Sequence, residues 1–188
     1  AINNKQMCIA IMFDFEKAYD MLHKEGLLHK ISKLGLNGNI YNWIDNFLTN
    51  RTFQVKVGSS MSSNQILENG TPQGSSISPL LFLLMINDFP PPVLYTEQSI
   101  FADDSAIWKT GKSHNKIAQD LQKNVDNIVE WCATWGIKLS PTKTIGIIFT
   151  KGHTHELTFK KPIKIGDKEI IMKKEVKFLG IIFDTKLS

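Results

Sequence analysis

Met7-Cys8-Ile9-Ala10-Ile11-Met12-Phe13-Asp14 runs through seven apolar residues and stops on a carboxylate. An apolar run this short reads as a buried strand. A second such pattern lies further along. Ser99 to Trp108 reads as two short strands joined at Ala102-Asp103-Asp104. Between and after them the pattern is helical in places. Leu27, Leu28, Ile31 and Leu34, with Gly35 as a stop, predict one helix. Ile40, Trp43, Ile44, Phe47 and Leu48 share one face of a second, read as a packing face rather than a partner site. The apolar stretch after Pro79 predicts a buried helix stopped by Pro90-Pro91-Pro92. Ser113 can cap a long amphipathic helix bearing Ile117, Leu121, Val125, Ile128, Cys132 and Trp135.

The remaining signals are strands and loops. Phe53, Val55 and Val57 alternate with polar residues, as in a half-buried strand that turns at Gly58-Ser59. Gly70-Thr71-Pro72-Gln73-Gly74-Ser75-Ser76 is a loop by composition. The last third reads as strands at Ile145 to Phe149, Ile170-Ile171 and Val176 to Phe183, with a turn at Gly166-Asp167. Strands and helices without regular βαβ alternation predict an α+β fold, helices lying on one face of an antiparallel sheet.

The 188 residues suit one domain with room for a small appendage. Hydrophobic residues make up 42% and charged residues 21%, which excludes wholesale disorder and collagen-like repeats. The longest nearly continuous apolar run, Leu80 to Ile86, is far short of the ~20 residues a bilayer needs, so no membrane partner is expected. Cys8 and Cys132 are too few for a disulfide scaffold or a multi-thiolate zinc site, and read as buried free thiols. The net charge of +4 permits a nucleic-acid partner. Arg51 is the only arginine, which argues against an Arg-rich base-reading surface and leaves diffuse phosphate contact open. The chain starts at Ala1 on no signal pattern and stops at Ser188 just after a strand pattern, so both ends look cut and residues 1–188 are expected to be a piece of a longer protein.

The carboxylates fit no core. Asp14 ends one apolar strand; Asp103 and Asp104 end another. Any one of them could be a solvated strand end. Two adjacent aspartates, however, repel each other and disfavour a tight hairpin unless a cation compensates. Such oxygen donors suit Mg²⁺, held by one or two carboxylates plus substrate phosphates. Asp14 and Asp103 stand 89 positions apart, so only neighbouring strands can bring them together. Because alternation sends successive residues to opposite faces, Asp103 is expected to be the partner of Asp14, with Asp104 a weaker ligand.

Phe13-Asp14-Phe15-Glu16-Lys17-Ala18-Tyr19-Asp20, then Asn69 to Pro79 around Pro72-Gln73-Gly74, then Phe101-Ala102-Asp103-Asp104, closely resemble in that order the central motifs of reverse transcriptases. Trp135 to Thr144 and Val176-Lys177-Phe178-Leu179-Gly180 resemble the two motifs that follow. The variant is similar to non-LTR, LINE-type retrotransposons of the jockey-like sort, over about Met7 to Leu187.

That resemblance implies a right-hand polymerase palm with part of the fingers, the N-terminal fingers and C-terminal thumb lying outside the fragment. It implies an RNA-directed DNA polymerase of a mobile element, with an RNA template, a DNA primer, deoxynucleotides and the rest of a parent polyprotein, endonuclease included, as partners. Synthesis in the cytoplasm and action in the nucleus follow from the family alone. Asp14, Asp103 and Asp104 would hold two Mg²⁺ ions, with Mn²⁺ able to substitute. Lys143 would give a proton to the leaving pyrophosphate. The backbone of Phe15, Glu16, Lys17 and Ala18 would lie near the triphosphate. Tyr19 would sit beneath the sugar and exclude a 2′-hydroxyl, and Gln73 and Gly74 would contact the nucleotide. Lys177 to Gly180 would hold the primer end. Phe101 replaces the family's frequent tyrosine, and Thr71 its frequent valine.

Other readings stay open on the residues alone. A viral-type RNA-dependent RNA polymerase shares paired aspartates but usually has Gly where this chain has Ala102. A palm remnant that only binds nucleic acid would not need all three aspartates. His153-Thr154-His155 reads as a solvated loop rather than a metal site. Lys160-Lys161 and Lys173-Lys174 could meet phosphates or simply face water. The isolated fragment, without its flanking parts, is expected to be weak or inactive.

Overall fold

The computed structural model describes residues 6–151 and 158–187, so His153-Thr154-His155 lie outside the described residues. The opening apolar run forms β1 (Met7–Phe13), as its composition predicts. Next come α1 (Lys24–Lys33) and α2 (Asn39–Leu48). Four short strands follow: β2 (Arg51–Phe53), β3 (Lys56–Val57), β4 (Ser60–Met61) and β5 (Gln65–Leu67). After α3 (Ser78–Ile86), the strands β6 (Glu97–Phe101) and β7 (Asp104–Gly111) lead into α4 (His114–Trp135). The last third holds β8 (Ile145–Phe149), β9 (Lys164–Ile165), β10 (Lys168–Glu169), β11 (Ile171–Lys173), β12 (Glu175–Phe178) and β13 (Ile181–Asp184).

Two compact units result. One comprises Ala1–Glu16, Phe89–Thr134 and Lys138–Ser188; the other comprises Lys17–Asp88 and Trp135–Ile137.

The first unit is built on a five-stranded sheet in the order β11-β8-β1-β7-β6. β1 is its central strand, antiparallel to β7 and to β8. The edge strand β11 runs parallel to β8, so the expected antiparallel sheet carries one parallel edge. Pairing by register sorts the side chains onto two faces. Ile9, Ile11 and Phe13 share a face with their partners Lys109, Ile107 and Ser105, and the two isoleucines of β1 are fully buried. α4 lies on this face, tied to it by the ion pair between Lys109 and Asp120 at 3.1 Å. The helix starts as predicted, with the Ser113 hydroxyl accepting the Lys116 amide. Its buried stripe is Ile117, Leu121, Val125, Ile128 and Cys132.

The opposite face holds Ala10, Ile147 and Phe149, packed with Val176 and Phe183 from the β12–β13 hairpin. An apolar cavity of about 620 Å³ opens there beside Cys8, Trp108 and Phe178. The stretch Val176 to Phe183, read as one strand from its apolar content, is a hairpin. Leu179 and Gly180 both take positive φ, the requirement of a two-residue turn that keeps the strand twist.

The second unit packs α1 against α2 and α3. Leu27, Leu28 and Ile31 of α1 are buried, and Gly35 follows at φ 83°. The Lys24 ammonium of α1 donates to the Thr49 hydroxyl at 2.8 Å just past α2. Lys30 is buried, donating to the Met85 carbonyl and to Asp88 while lying over the Trp135 ring. Pro79 stands in the first turn of α3, where its missing N–H costs nothing, and the helix ends at Ile86, before the triple proline. Two expectations need correction here. On α2 only Ile44 and Leu48 are buried, while Ile40 and Trp43 face solvent, so the stripe is half packed. Phe53, Val55 and Val57 are exposed, because among the described residues the short strands around them pair only with one another, β2 with β5 and β3 with β4. Among the described residues no helix is long and apolar enough to cross a membrane.

Candidate active site

Asp14 stands at the end of the central strand, one residue past the last pair with β7, Phe13 with Ser105. Its backbone is fixed from both sides. The amide N–H donates to the Thr144 hydroxyl at 3.3 Å, and the carbonyl accepts from the Ser140 amide at 2.8 Å. Beyond it, Phe15 bridges to Leu139 and the Glu16 amide donates to the Lys138 carbonyl at 2.8 Å. The segment Lys138 to Thr144 thus extends β1 by three residues and holds the aspartate at its edge. Phe15 itself is a core residue, its ring edge-on to Phe89. The Glu16 amide, being committed to Lys138, is not free for a phosphate.

Asp103 and Asp104 sit where the sequence pattern puts them. Phe101 pairs with Asp104, which leaves Ala102 and Asp103 as a two-residue turn. Ala102 adopts φ 51°, a conformation that favours glycine, and here it is alanine that carries the turn. Continuing the β1–β7 register by one step sets Asp14 opposite Asp104. Asp103 belongs to the turn itself, beside Asp104.

Asp104 lies within electrostatic reach of the other two aspartates. Partial desolvation, then the negative charges of Asp103 and Asp14, hold Asp104 above the usual carboxylate range. Asp104 is exposed. A cation is the natural remedy. The Lys143 ammonium lies 3.7 Å from Asp14 Oδ1, on a side chain that is otherwise in solvent. That same Oδ1 is buried and has no hydrogen-bond partner among the described residues, nor does the buried Ser105 hydroxyl beside Asp104. A buried carboxylate oxygen that accepts no hydrogen bond, with two further carboxylates nearby, suits a hard divalent cation in kind. Among the described residues no three such side chains are already gathered into a metal cage.

Of the remaining residues singled out from the sequence, Lys17, Ala18, Tyr19, Gln73 and Gly74 lie in the second unit. Lys17 has φ 46°, and its carbonyl accepts from the Asp20 and Met21 amides, which makes Lys17 to Met21 a tight turn bearing Ala18 and Tyr19. The Tyr19 ring lies 4.9 Å from that of Phe82, a buried residue of α3. Gly70 to Ser76 is a loop, as its composition predicts. Gly74 takes φ 85° with open space where a Cβ would be, so its backbone is accessible. Gln73 is exposed and donates to Asp20 at 2.7 Å. Lys160, Lys161, Lys173 and Lys174 are all exposed. Phe178 is half-buried against the apolar cavity of the first unit.

Reading the sequence missed Thr144 and Ser140. Both are buried, and both hold Asp14. The motif around them was visible; the bonds they make across about 130 positions were not.

The sequence profile of a family described as "Reverse transcriptase (RNA-dependent DNA polymerase)" matches residues 1–183. Over its whole length the chain is 30% identical to the probable RNA-directed DNA polymerase from transposon BS of Drosophila melanogaster, and 28% identical to the RNA-directed DNA polymerase from mobile element jockey of the same species. It spans 21% of the length of each of these relatives. Among solved structures, apo telomerase from Candida tropicalis, truncated from its C-terminal domain, superposes with a TM-score of 0.63 over 97% of this chain and 35% of that one, at 13% identity. A telomerase from Candida albicans, in complex with a fragment of telomeric RNA, gives 0.62 over 96% of this chain and 31% of its own, also at 13% identity. At such identities the likeness is one of fold.

Proposed function

The chain belongs to the reverse transcriptase (RNA-dependent DNA polymerase) family, and from that premise we propose that it forms the catalytic centre of a mobile element's polymerase, adding deoxynucleotides to a primer 3′-hydroxyl on an RNA template. What supports this reading best is the meeting of Asp14 and Asp104 at the tip of the β1–β7 pairing, with Asp103 in the adjoining turn and one oxygen of Asp14 left without a hydrogen bond.

Asp14, Asp103 and Asp104 are the residues that would hold divalent ions, two Mg²⁺ or, in their place, Mn²⁺. When bound, such ions supply Lewis-acid polarisation of the phosphoryl group and a more acidic primer hydroxyl. The rest falls to the chain itself. Thr144 and Ser140 fix the backbone of Asp14, so its carboxylate needs little reorganisation before reaction. Lys143 stands in reach of Asp14 and, as a flexible exposed cation, can deliver a proton to a departing pyrophosphate. Tyr19 presents a ring against the sugar, where a 2′-hydroxyl would clash. Gln73 and the open backbone at Gly74 contact the nucleotide. The mobile-element parent, its RNA template and DNA primer, and work in the nucleus after cytoplasmic synthesis belong to the same proposal.

The test is primer extension on an RNA template with Mg²⁺, using the parent protein that contains this chain. Wild type is compared with Asp103→Ala and Asp14→Asn, each with deoxy- and ribonucleotides. Expected is deoxynucleotide extension that falls on the order of a thousandfold in either variant, the scale of losing a preorganised electrostatic group. Bound template–primer without extension by wild type would turn the reading into a nucleic-acid-binding remnant. A preference for ribonucleotides would turn it into an RNA-dependent RNA polymerase.

A further inference from the structure

Asp20 follows the aromatic Tyr19 and is exposed, yet its surroundings are tightly built. The Gly70 amide donates to the Leu22 carbonyl and the Thr71 amide to the Tyr19 carbonyl, each at 2.8 Å, so Tyr19 to Leu22 and Gly70-Thr71 lie side by side. Gly70 is pressed against Asp20. A Cβ there would stand 2.4 Å from the Asp20 carbonyl oxygen, and the backbone has φ 86° besides. The only arginine of the chain braces the same point, Arg51 Nη1 donating to the Gly70 carbonyl at 2.8 Å. Further along, the Ser78 hydroxyl donates to the Pro72 carbonyl at 2.7 Å. On this frame Gln73 Nε2 donates to Asp20 Oδ1 at 2.7 Å.

The chemistry of that bond has a direction. An ionised carboxylate only accepts, while a glutamine amide can offer either end. Asp20 therefore selects the NH₂ end of Gln73 and turns Oε1 the other way. We infer that Asp20 is a positioning residue for Gln73: it fixes the amide so that Oε1 is presented to a hydrogen-bond donor of the incoming nucleotide. Arg51 and Gly70 hold Asp20 in place for this. The inference rests on the reading that Gln73 contacts the nucleotide. It adds a reason for an acidic residue directly after the aromatic one, a residue whose charge, taken alone, would repel a triphosphate.

The test is a double-mutant cycle in the parent protein. Asp20→Ala, Asp20→Asn, Gln73→Ala and Asp20→Ala/Gln73→Ala are compared with wild type. The dissociation constant of a correct deoxynucleotide is measured on a template–primer with a chain-terminated end, alongside KM and kcat for extension. Unfolding midpoints separate a folding defect from a binding one. Expected is an increase of about tenfold in the dissociation constant and in KM for Asp20→Ala, the scale of one hydrogen bond to a charged group, with kcat little changed. Asp20→Asn keeps the shape but lets the amide turn either way, so it should lose affinity by an intermediate factor. In the Gln73→Ala background, Asp20→Ala should add nothing. Additive losses, or an Asp20→Ala protein that binds nucleotide as wild type does, would overturn the inference while leaving the polymerase reading intact. A wild type that neither binds nor incorporates nucleotide would overturn both.

Discussion

The Thr144 hydroxyl accepts the amide N–H of Asp14 at 3.3 Å, joining two residues 130 positions apart at the point where the central strand ends. Thr144 is buried, so water cannot replace it if the hydroxyl is lost.

Thr144→Val should therefore lower stability by about 1–3 kcal/mol, the usual cost of stranding a buried donor, and reduce polymerase activity by more than the stability loss explains. Thr144→Ser keeps the hydroxyl and should sit much closer to wild type. Urea unfolding and primer extension, run on the same preparations, check both statements.

Asp104 carries a pH signature. Its folded-state pKa lies above the unfolded value, through partial desolvation, then Asp103, then Asp14. A carboxylate raised in this way favours the folded state when protonated. Its contribution is at full strength below the ordinary carboxylate pKa and is lost as pH rises through the raised one. Asp104→Asn should thus be more stable than wild type at neutral pH without divalent ions, and the gap should close in acid. Adding Mg²⁺ should stabilise wild type more than the variant. Thermal unfolding against pH, with and without Mg²⁺, is the measurement. A variant less stable than wild type at neutral pH would contradict the crowding of carboxylates.

Two turn positions should respond in opposite directions. Ala102 is an alanine at φ 51°, so Ala102→Gly should stabilise by up to about 1 kcal/mol. Gly70 has a positive φ and no space for a Cβ against the Asp20 backbone. Gly70→Ala should cost about 3 kcal/mol or more, since backbone cannot move aside as a side chain can. Chemical denaturation of the two variants decides the matter.

Both thiols should be inert. Burial pushes Cys132 up to about 12; burial first and the Glu97 charge second push Cys8 up to about 11. At pH 8 about one Cys8 in a thousand is thiolate, and fewer at Cys132. Peptide-resolved alkylation with iodoacetamide should leave both unlabelled until denaturant is added, and on raising the pH Cys8 should react first.

Local signals carried much of the fold. The apolar run of β1, the Ser113 cap, the turn at Gly166-Asp167 and the hairpin ending in Asp103-Asp104 each depend on residues close together in the chain, and each was legible. What depended on distant partners was not. The register of β1 against β7 comes from pairing across some 90 positions, and nothing local to either strand fixes it. A stripe such as Ile40, Trp43, Ile44, Phe47 and Leu48 tells which residues share a helix face, not whether anything covers it, and half of it lies open. Val176 to Phe183 looks continuous because its turn uses Leu179, a residue with no turn propensity, beside Gly180.

The place of β1 in the sheet has a consequence for synthesis. Phe13 pairs with Ser105 and Cys8 with Phe149, so both neighbours of the central strand lie downstream. At a translation rate of ~5–20 residues per second, a gap of roughly 140 residues takes about 7 to 30 seconds. Throughout that interval this apolar strand has an unpaired edge on the nascent chain, open to mispairing with other chains. A ribosome stalled within α4 would release a polypeptide whose first aspartate has no Ser140 or Thr144 to hold it. β1 gains its second neighbour only once the chain has passed Phe149.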